Sequence, residues 1–352
     1  MAAAGEFLCG VIEGFYGRQW SYPSREAYAA FLATSRLNTY IYCPKGDKRL
    51  RGEWQLPWPD DEFGHLRSLA AVFRRRGVHF GVGLSPMELY RQYGSREREQ
   101  LRRKLDQVSA LEAPLLAILF DDMPGDLDAL AARQAEIVAD VQHWCADLRL
   151  LVCPTYYSFD PALERFFGAM PVDYWADLGA ALPVDVDIFW TGNQVCSPAV
   201  SLDDIAAIRQ RLGRPVILWD NYPVNDGEER SQRLYLKPLG ERDPALRDCL
   251  AGHLCNPMNQ ALLSLPALIG LAQLYGDVTA ARQFVVDYLG EQTWKQLQVD
   301  REEFVSVGLA AMGPERCAEL AQRYGSMPGA AAGEVAAWLR GEYAWDPACL
   351  TG

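Results

Sequence analysis

Eight short apolar runs, separated by longer amphipathic stretches, constrain the fold of this 352-residue chain more than any other feature of its sequence. The runs lie at residues 8–13, 38–43, 78–84, 115–120, 149–153, 186–190, 215–219 and 251–255. Short apolar strands that alternate with helices form parallel sheets, and eight such units can close into a barrel. The pattern therefore predicts an α/β protein built as a (β/α)8 TIM barrel.

The stretches between the runs carry apolar residues at helical spacing. Helices are predicted at residues 24–37, 95–111, 126–148, 201–212 and 259–275, and after the barrel at 279–288, 301–312, 315–324 and 331–343. We therefore expect a catalytic barrel over residues 6–275 and a helical C-terminal region over residues 276–352. That region is either a cap packed on the barrel, or a stalk that forms a homodimer or lines one wall of the active site.

Charge and cysteine usage argue against several classes of function. The chain has 34 Lys and Arg against 46 Asp and Glu, and this net charge of −12 disfavours nucleic acid as a partner. No run approaches the roughly 18 apolar residues that span a bilayer, and the first residues lack a basic stretch followed by an apolar one, so we expect no membrane partner. Nine cysteines without a CxxC pair and four scattered histidines predict a cytoplasmic protein with no zinc site and no cofactor.

Polar and aromatic side chains follow most of the predicted strands, at the end of a barrel where active sites lie. They are Gly14 and Tyr16 after the first strand, Lys45 after the second, Asp121 and Asp122 after the fourth, Tyr157 after the fifth, Trp219, Asn221 and Asp226 after the seventh, and Asn256 after the eighth. Carboxylates, amides, a lysine and aromatic rings are together suited to binding and cleaving a sugar. No histidine accompanies Cys153, so we interpret this cysteine as a packing residue and not as a nucleophile.

The adjacent acids Asp121 and Asp122 carry the strongest catalytic signal. Two carboxylates that leave a buried strand together repel each other and lose solvation, which is one way to keep a protonated general acid beside an ionised neighbour. Neighbouring residues of a strand point to opposite faces, so the pair converges on one ligand only where the strand bends. The Met-Pro-Gly sequence at 123–125 provides such a break.

Two other interpretations of the pair stay open. In the first, Asp122 merely assists helix capping, because Asp126 and Asp128 are well placed to start the following helix. In the second, Asp121, Asp122 and Asp126 form a DDxxxD cluster that binds magnesium. Against this, the three positions span a Pro-Gly turn, and no glycine-rich phosphate loop accompanies them.

Seven segments, taken in their order along the chain, carry a family resemblance. They are GVIEGFYGRQW (10–20), YIYCPKGD (40–47), ILFDDM (118–123), CPTYY (153–157), WTG (190–192), WDNYPVND (219–226) and CNP (255–257). In combination they resemble glycoside hydrolase family 84, the O-GlcNAcase and bacterial N-acetylglucosaminidase family. The resemblance implies a retaining exo-β-N-acetylglucosaminidase in which the substrate's acetamide oxygen replaces the carboxylate nucleophile and an oxazoline forms.

The resemblance also implies a role for each residue of the site. Asp121 would orient and deprotonate the acetamide N–H, and Asp122 would protonate the leaving oxygen and later activate water. Tyr157 would donate to the acetamide oxygen, while Trp219 would form a wall around the acetamide methyl group. The remaining positions match residues that bind the sugar, hold the catalytic pair or line the pocket: Gly14, Tyr16, Lys45, Asn221, Asp226 and Asn256.

Two positions depart from the family pattern. Gly46 and Asp47 stand where two aspartates are common, and Gly227 stands where an aromatic residue is frequent, which is expected to open the leaving-group side of the pocket. The expected substrate is an N-acetylglucosaminide, including GlcNAc on Ser or Thr of a glycoprotein or glycopeptide. A hyaluronidase-like or glycan-trimming hexosaminidase, or a barrel that binds amino sugars without turnover, is the alternative.

Overall fold

The computed structural model describes residues 5–351 and contains the closed parallel barrel that the sequence predicts. Its strands are β1 (Leu8–Glu13), β2 (Thr39–Tyr42), β3 (His79–Leu84), β4 (Leu115–Leu119), β5 (Arg149–Cys153), β6 (Asp187–Trp190), β7 (Ile217–Asp220) and β8 (Gly252–Cys255). They pair in chain order, and β8 closes the barrel against β1, where Leu8 lies opposite Gly252. All eight predicted strands are confirmed.

The strands form because most of their residues are apolar on both faces. Every residue of β4 is buried, since one face points into the barrel and the other packs against helices. The residues of β1 and β7 are buried in the same way. Parallel pairing brings the carboxyl ends of all the strands to one end of the barrel, so the polar residues that follow the strands meet there.

Helices connect the strands on the outside of the barrel. They are α1 (Tyr22–Thr34), α2 (Asp60–Arg75), α3 (Ser95–Ser109), α4 (Leu130–Trp144), α5 (Ala162–Phe167), α6 (Tyr174–Ala181), α7 (Leu202–Leu212) and α8 (Ala261–Tyr275). The five helices predicted within the barrel are all present. No helix was predicted where α2, α5 and α6 lie.

Helix α4 begins later than predicted, at Leu130 instead of residue 126. The residue before it, Ala129, provides no side-chain cap, so Asp126 and Asp128 do not cap this helix as the alternative interpretation required. Asp126 instead forms an ion pair with Arg91.

Within residues 276–351, the helices that follow the barrel are α9 (Val278–Leu289), α10 (Glu291–Glu302), α11 (Leu309–Gly325) and α12 (Ala330–Leu339). Helix α11 is interrupted at Gly313, which has a non-helical backbone with φ of 76°. The helix predicted at 301–312 is wrong, because a short π-helical turn and Gly308, with φ of 81°, end α10 and start α11 within that range. A glycine in the left-handed region interrupts a helix that apolar spacing alone predicts to be continuous. A further predicted helix, at 315–324, lies within α11.

The C-terminal helices pack on the barrel. Helix α9 lies against α1 and α8, and α12 lies against α8. The carboxylate of Glu334 in α12 accepts hydrogen bonds from the N–H groups of Leu262 and Leu263, at 2.9 and 3.1 Å, in the first turn of α8. The division into two domains at residue 276 and the homodimer stay predictions. Within residues 5–351, no helix has the length and apolar character needed to cross a membrane.

Candidate active site

One pocket at the carboxyl end of the barrel brings together all ten residues that the sequence singles out. Its lining contains Gly14, Tyr16, Lys45, Asp121, Asp122, Tyr157, Trp219, Asn221, Asp226 and Asn256. The pocket encloses about 440 Å³ of empty space, including the part open to solvent. The fold therefore unites these residues, although the role of each one stays a prediction.

The chain bends at Asp122 itself. This residue has φ of 56°, in the left-handed region, where aspartate is one of the few residues other than glycine that is tolerated. The bend ends the alternation of strand side chains, so both acids line the same pocket. The sequence predicted a break at 123–125, and the structure moves it one residue earlier, onto a residue of the pair.

Asp121 is nearly fully buried and has two different oxygens. Oδ2 accepts a hydrogen bond from the ammonium group of Lys45, which is itself buried. Oδ1 is buried and has no hydrogen-bond partner among residues 5–351. A buried acceptor without a partner costs about 1–3 kcal/mol, so this oxygen is poised to accept from a donor on a ligand.

Asp122 is held by two tyrosines. The hydroxyl of Tyr16 donates to Oδ2 and that of Tyr157 donates to Oδ1, both at 2.8 Å. Burial, followed by the charge of Asp122, raises the pKa of both tyrosines well above its usual value, so they are neutral donors. The predicted contact of Tyr157 is with a substrate oxygen, and in the structure its hydroxyl instead donates to Asp122.

Trp219 forms one wall of the pocket and explains why residue 14 is a glycine. A Cβ atom on Gly14 would lie 2.3 Å from a ring carbon of Trp219, which is too close for any other residue. The indole N–H donates to Oδ1 of Asn221 at 3.0 Å, which fixes the plane of the ring. The N–H of Gly14 donates to Oδ1 of Asn256 at 3.1 Å, and its predicted approach to a sugar hydroxyl stays a prediction.

Asp226 supplies a third carboxylate to the pocket, and its side chain is buried. Its Oδ2 accepts from the backbone N–H of Tyr16 at 2.7 Å. Burial raises the pKa of Asp226 to about 6, even though this hydrogen bond opposes the shift. The side chain of Asn256 also donates to Oδ1 of Asn221, at 3.0 Å, so one amide network joins the loops after β1, β7 and β8.

The two departures from the family pattern lie in different surroundings. Gly46 is exposed, whereas Asp47 is buried and accepts from the hydroxyl of Tyr42 at 2.8 Å and the indole N–H of Trp58 at 3.0 Å. Of the two positions at which aspartates are common in the family, the loop has an aspartate only at 47, and these hydrogen bonds of Asp47 hold the loop in place. Gly227 is buried, and its effect on the leaving-group side stays a prediction.

The structure does not bring Asp121, Asp122 and Asp126 together, as the magnesium alternative requires. Asp126 is turned toward Arg91, with most of its side chain exposed, and does not join Asp121 and Asp122. In the part of the chain that the structure describes, no group of three or more His, Cys, Asp or Glu side chains is arranged to hold a metal ion. Cys153 lines the pocket, and burial raises the pKa of its thiol well above the usual value, which favours the protonated, unreactive form.

Several residues of the site were missed by sequence reasoning. The pocket lining also contains Cys349 and Thr351, and Oγ1 of Thr351 lies 3.4 Å from the hydroxyl of Tyr157. The C-terminal region therefore packs on the barrel and also lines one wall of the site. No signal in the sequence connects residue 351 with a strand end. Arg51, which donates to the backbone carbonyl oxygen of Asp122, was missed because it lies in a charged loop with no distinctive spacing.

Comparisons with known proteins found a matching family model, related sequences and a similar solved structure. Residues 9–297 match the family model of beta-N-acetylglucosaminidase. The chain is 29% identical over 309 residues to the protein O-GlcNAcases of Rattus norvegicus and Mus musculus, covering 85% of this chain but only 33% of those proteins. A mutant of the O-GlcNAc hydrolase of Thermobaculum terrenum superposes with a TM-score of 0.74 and 29% identity, over 95% of this chain and 80% of that one.

Proposed function

Because this chain belongs to the β-N-acetylglucosaminidase family of glycoside hydrolases, we propose that it removes terminal β-linked N-acetylglucosamine by substrate-assisted catalysis with retention of configuration. The chain spans only 33% of the length of the curated relatives that it matches, so their activity is transferred to it as part of this proposal. The proposal rests above all on the two unlike environments of Asp121 and Asp122.

The unpaired Oδ1 of Asp121 is the observation that carries the mechanism. Lys45 occupies Oδ2, so a ligand N–H that reaches the pocket finds one oriented, buried acceptor. When this oxygen accepts the acetamide N–H and draws off its proton, the acetamide carbonyl oxygen becomes a better nucleophile. It then attacks the anomeric carbon of the same sugar, and an intramolecular attack avoids most of the entropy cost of bringing two groups together.

Asp122 acts on the other side of the bond that breaks. It passes its proton to the leaving oxygen as the C1–O bond breaks, and it later takes a proton from the water that attacks C1 and opens the oxazoline, while Asp121 returns the acetamide proton to the nitrogen. The hydroxyls of Tyr16 and Tyr157 stabilise the carboxylate that forms when the proton leaves. The Tyr157 hydroxyl can also turn toward the acetamide oxygen, since a phenolic O–H rotates about its C–O bond.

The rest of the pocket suits a neutral sugar. A flat indole face on Trp219 can cover the acetamide methyl group, and the carboxylate of Asp226 can accept from two neighbouring hydroxyls. GlcNAc on Ser or Thr of a protein or peptide is the substrate that we propose within this class. The cytoplasmic location and a homodimer through the C-terminal helices stay predictions.

The test compares 4-nitrophenyl N-acetyl-β-glucosaminide with 4-nitrophenyl β-glucoside, and a GlcNAc-modified peptide with its unmodified form. We expect release of GlcNAc from the first sugar and from the peptide, and no cleavage of the glucoside, because glucose lacks the acetamide nucleophile. Asp121→Asn is the matched variant, since it keeps the size of the side chain. Comparable rates on the glucoside would contradict the proposal.

A further inference from the structure

One loop supplies a cation to each catalytic aspartate. The loop follows β2 and carries Lys45, whose ammonium group contacts Asp121, and Arg51, which reaches the surroundings of Asp122. Asp47 fixes the loop between these two residues through Tyr42 and Trp58. Lys45 contacts the carboxylate of Asp121 directly. Arg51 does not contact the carboxylate of Asp122, and it donates instead to the backbone carbonyl of that residue and to the hydroxyl of Tyr16.

The guanidinium group of Arg51 donates three hydrogen bonds. Nη2 donates to the hydroxyl oxygen of Tyr16 at 3.1 Å and to the backbone carbonyl oxygen of Asp122 at 3.3 Å. Nη1 donates to Oγ of Ser85 at 3.0 Å, at the end of β3, which anchors the group from the other side. Arg51 does not line the pocket, and no carboxylate forms an ion pair with it in the described residues. Its guanidinium group therefore donates to three uncharged oxygens, and two of them belong to Tyr16 and Asp122.

We propose that Arg51 is a positioning residue for the proton transfer by Asp122, an inference that rests on the proposed function. It acts in two ways. By donating to the Tyr16 oxygen, it makes the Tyr16 O–H a stronger donor to Oδ2 of Asp122, because consecutive hydrogen bonds polarise one another. By donating to the Asp122 carbonyl, it holds the left-handed backbone that turns this side chain into the pocket.

This chain of contacts matters most when Asp122 loses its proton. The new negative charge develops on a carboxylate whose Oδ2 accepts from Tyr16, so the polarised hydroxyl stabilises it. A poor leaving group needs that proton, whereas a good one departs without it. Replacement of Arg51 should therefore lower kcat/KM most for the leaving groups that most need protonation. A variant that merely loosens the loop would not show this dependence on the leaving group.

The experiment measures kcat/KM for aryl N-acetylglucosaminides whose phenols range from 2,4-dinitrophenol to 4-methoxyphenol. In Arg51→Met we expect a loss of about 10- to 100-fold on the poorest leaving groups and little change on the best, as for one hydrogen bond to a charged group. Arg51→Lys keeps a cation but not the forked geometry, so it should show the same dependence with a smaller loss. Arg49→Met is the matched control, since Arg49 lies on the same loop and pairs with Glu53 at the surface.

Three results would overturn the inference. They are an equal loss on all leaving groups, no loss in Arg51→Met, and equal effects of Arg49→Met and Arg51→Met. If Arg51→Met does not fold, Arg51→Lys decides, and a flat dependence on the leaving group in that variant counts against the proposal. A wild type that cleaves none of these glycosides would refute the proposed function, and Arg51 would then have no proton transfer to assist.

Discussion

The ends of β4 and β7 each carry a buried aspartate, and the two differ in how completely they are hydrogen-bonded. Asp220 accepts from Nε and Nη2 of Arg242 at 2.8 and 2.9 Å and from Nε2 of His253 at 2.9 Å. Among residues 5–351, Asp121 accepts from Lys45 alone, and its other, buried oxygen has no hydrogen-bond partner. Both oxygens of Asp220 accept hydrogen bonds, which suits a structural role. One oxygen of Asp121 has no partner in the described residues and is therefore available to a ligand.

The largest effect is expected for Asp121→Asn. The amide cannot take the acetamide proton, so kcat/KM on an aryl N-acetylglucosaminide should fall by about 10²–10⁴-fold. The change should be measured on protein whose circular dichroism shows it to be folded, because Lys45 loses its counter-ion. Activity within a few-fold of the wild type would remove Asp121 from the mechanism.

Asp220→Asn tests the other side of the comparison. It leaves the buried guanidinium of Arg242 without its counter-ion, so the free energy of unfolding in urea should fall by about 3–5 kcal/mol. The folded variant should keep kcat within a few-fold of the wild type, since the Asp220 side chain does not line the pocket. A large loss of kcat with unchanged stability would reverse the roles assigned to the two aspartates.

The stability of the protein in acid should also reflect the hydrogen bonds and ion pair of Asp220. Burial raises the pKa of Asp220, but the hydrogen bond from His253 and the charge of Arg242 outweigh it and lower the pKa to about 2, below the ordinary 3.8. A depressed pKa stabilises the fold above about pH 4, and this contribution is lost as the pH falls toward 2. Urea unfolding between pH 5 and 2.5 should therefore show a steeper loss of stability in the wild type than in Asp220→Asn.

Asp122→Asn is expected to separate substrates by leaving group. With a phenol that needs protonation, kcat/KM should fall by about 10²-fold, while a dinitrophenyl glycoside should be spared in the bond-breaking step. Steady-state rates on both substrates give the comparison. Identical losses on the two substrates would mean that Asp122 does not protonate the leaving oxygen.

The smallest effect concerns the pH dependence that Asp226 imposes. Its pKa is raised to about 6 by burial, so the carboxylate that would accept from sugar hydroxyls is present above pH 6 and lost below it. On the acid side, kcat/KM should then decline by about tenfold per pH unit, through a rise in KM. In Asp226→Asn this acid limb should disappear and leave a low, flat profile. An unchanged acid limb would assign it to another group.

The sequence was informative wherever periodicity or order along the chain determines structure. All eight strands follow from apolar runs, because strands that are buried on both faces are mostly apolar. Since strand ends meet at one end of a barrel, residues as distant as Gly14 and Asn256 were placed in one pocket. Residues that reach the site by a loop or from the C-terminal region, namely Arg51, Cys349 and Thr351, could not be predicted, because their positions depend on tertiary packing.

Local geometry was also beyond the sequence. The bend at Asp122 depends on a left-handed backbone that aspartate permits but does not require. The boundary at Gly308 and the start of α4 at Leu130 were mispredicted because apolar spacing does not mark helix ends. The sequence likewise could not show which oxygen of Asp121 is free, although the mechanism depends on it.

The most direct test of substrate assistance varies the nucleophile itself. Aryl glucosaminides whose N-acyl group carries none, one, two or three fluorines differ in the electron density of the carbonyl oxygen next to C1, while the leaving group is constant. If the acetamide oxygen that Asp121 activates forms the new bond to C1, kcat/KM must fall steeply with each added fluorine. A rate that is indifferent to fluorination would show that another group attacks, and it would contradict the mechanism.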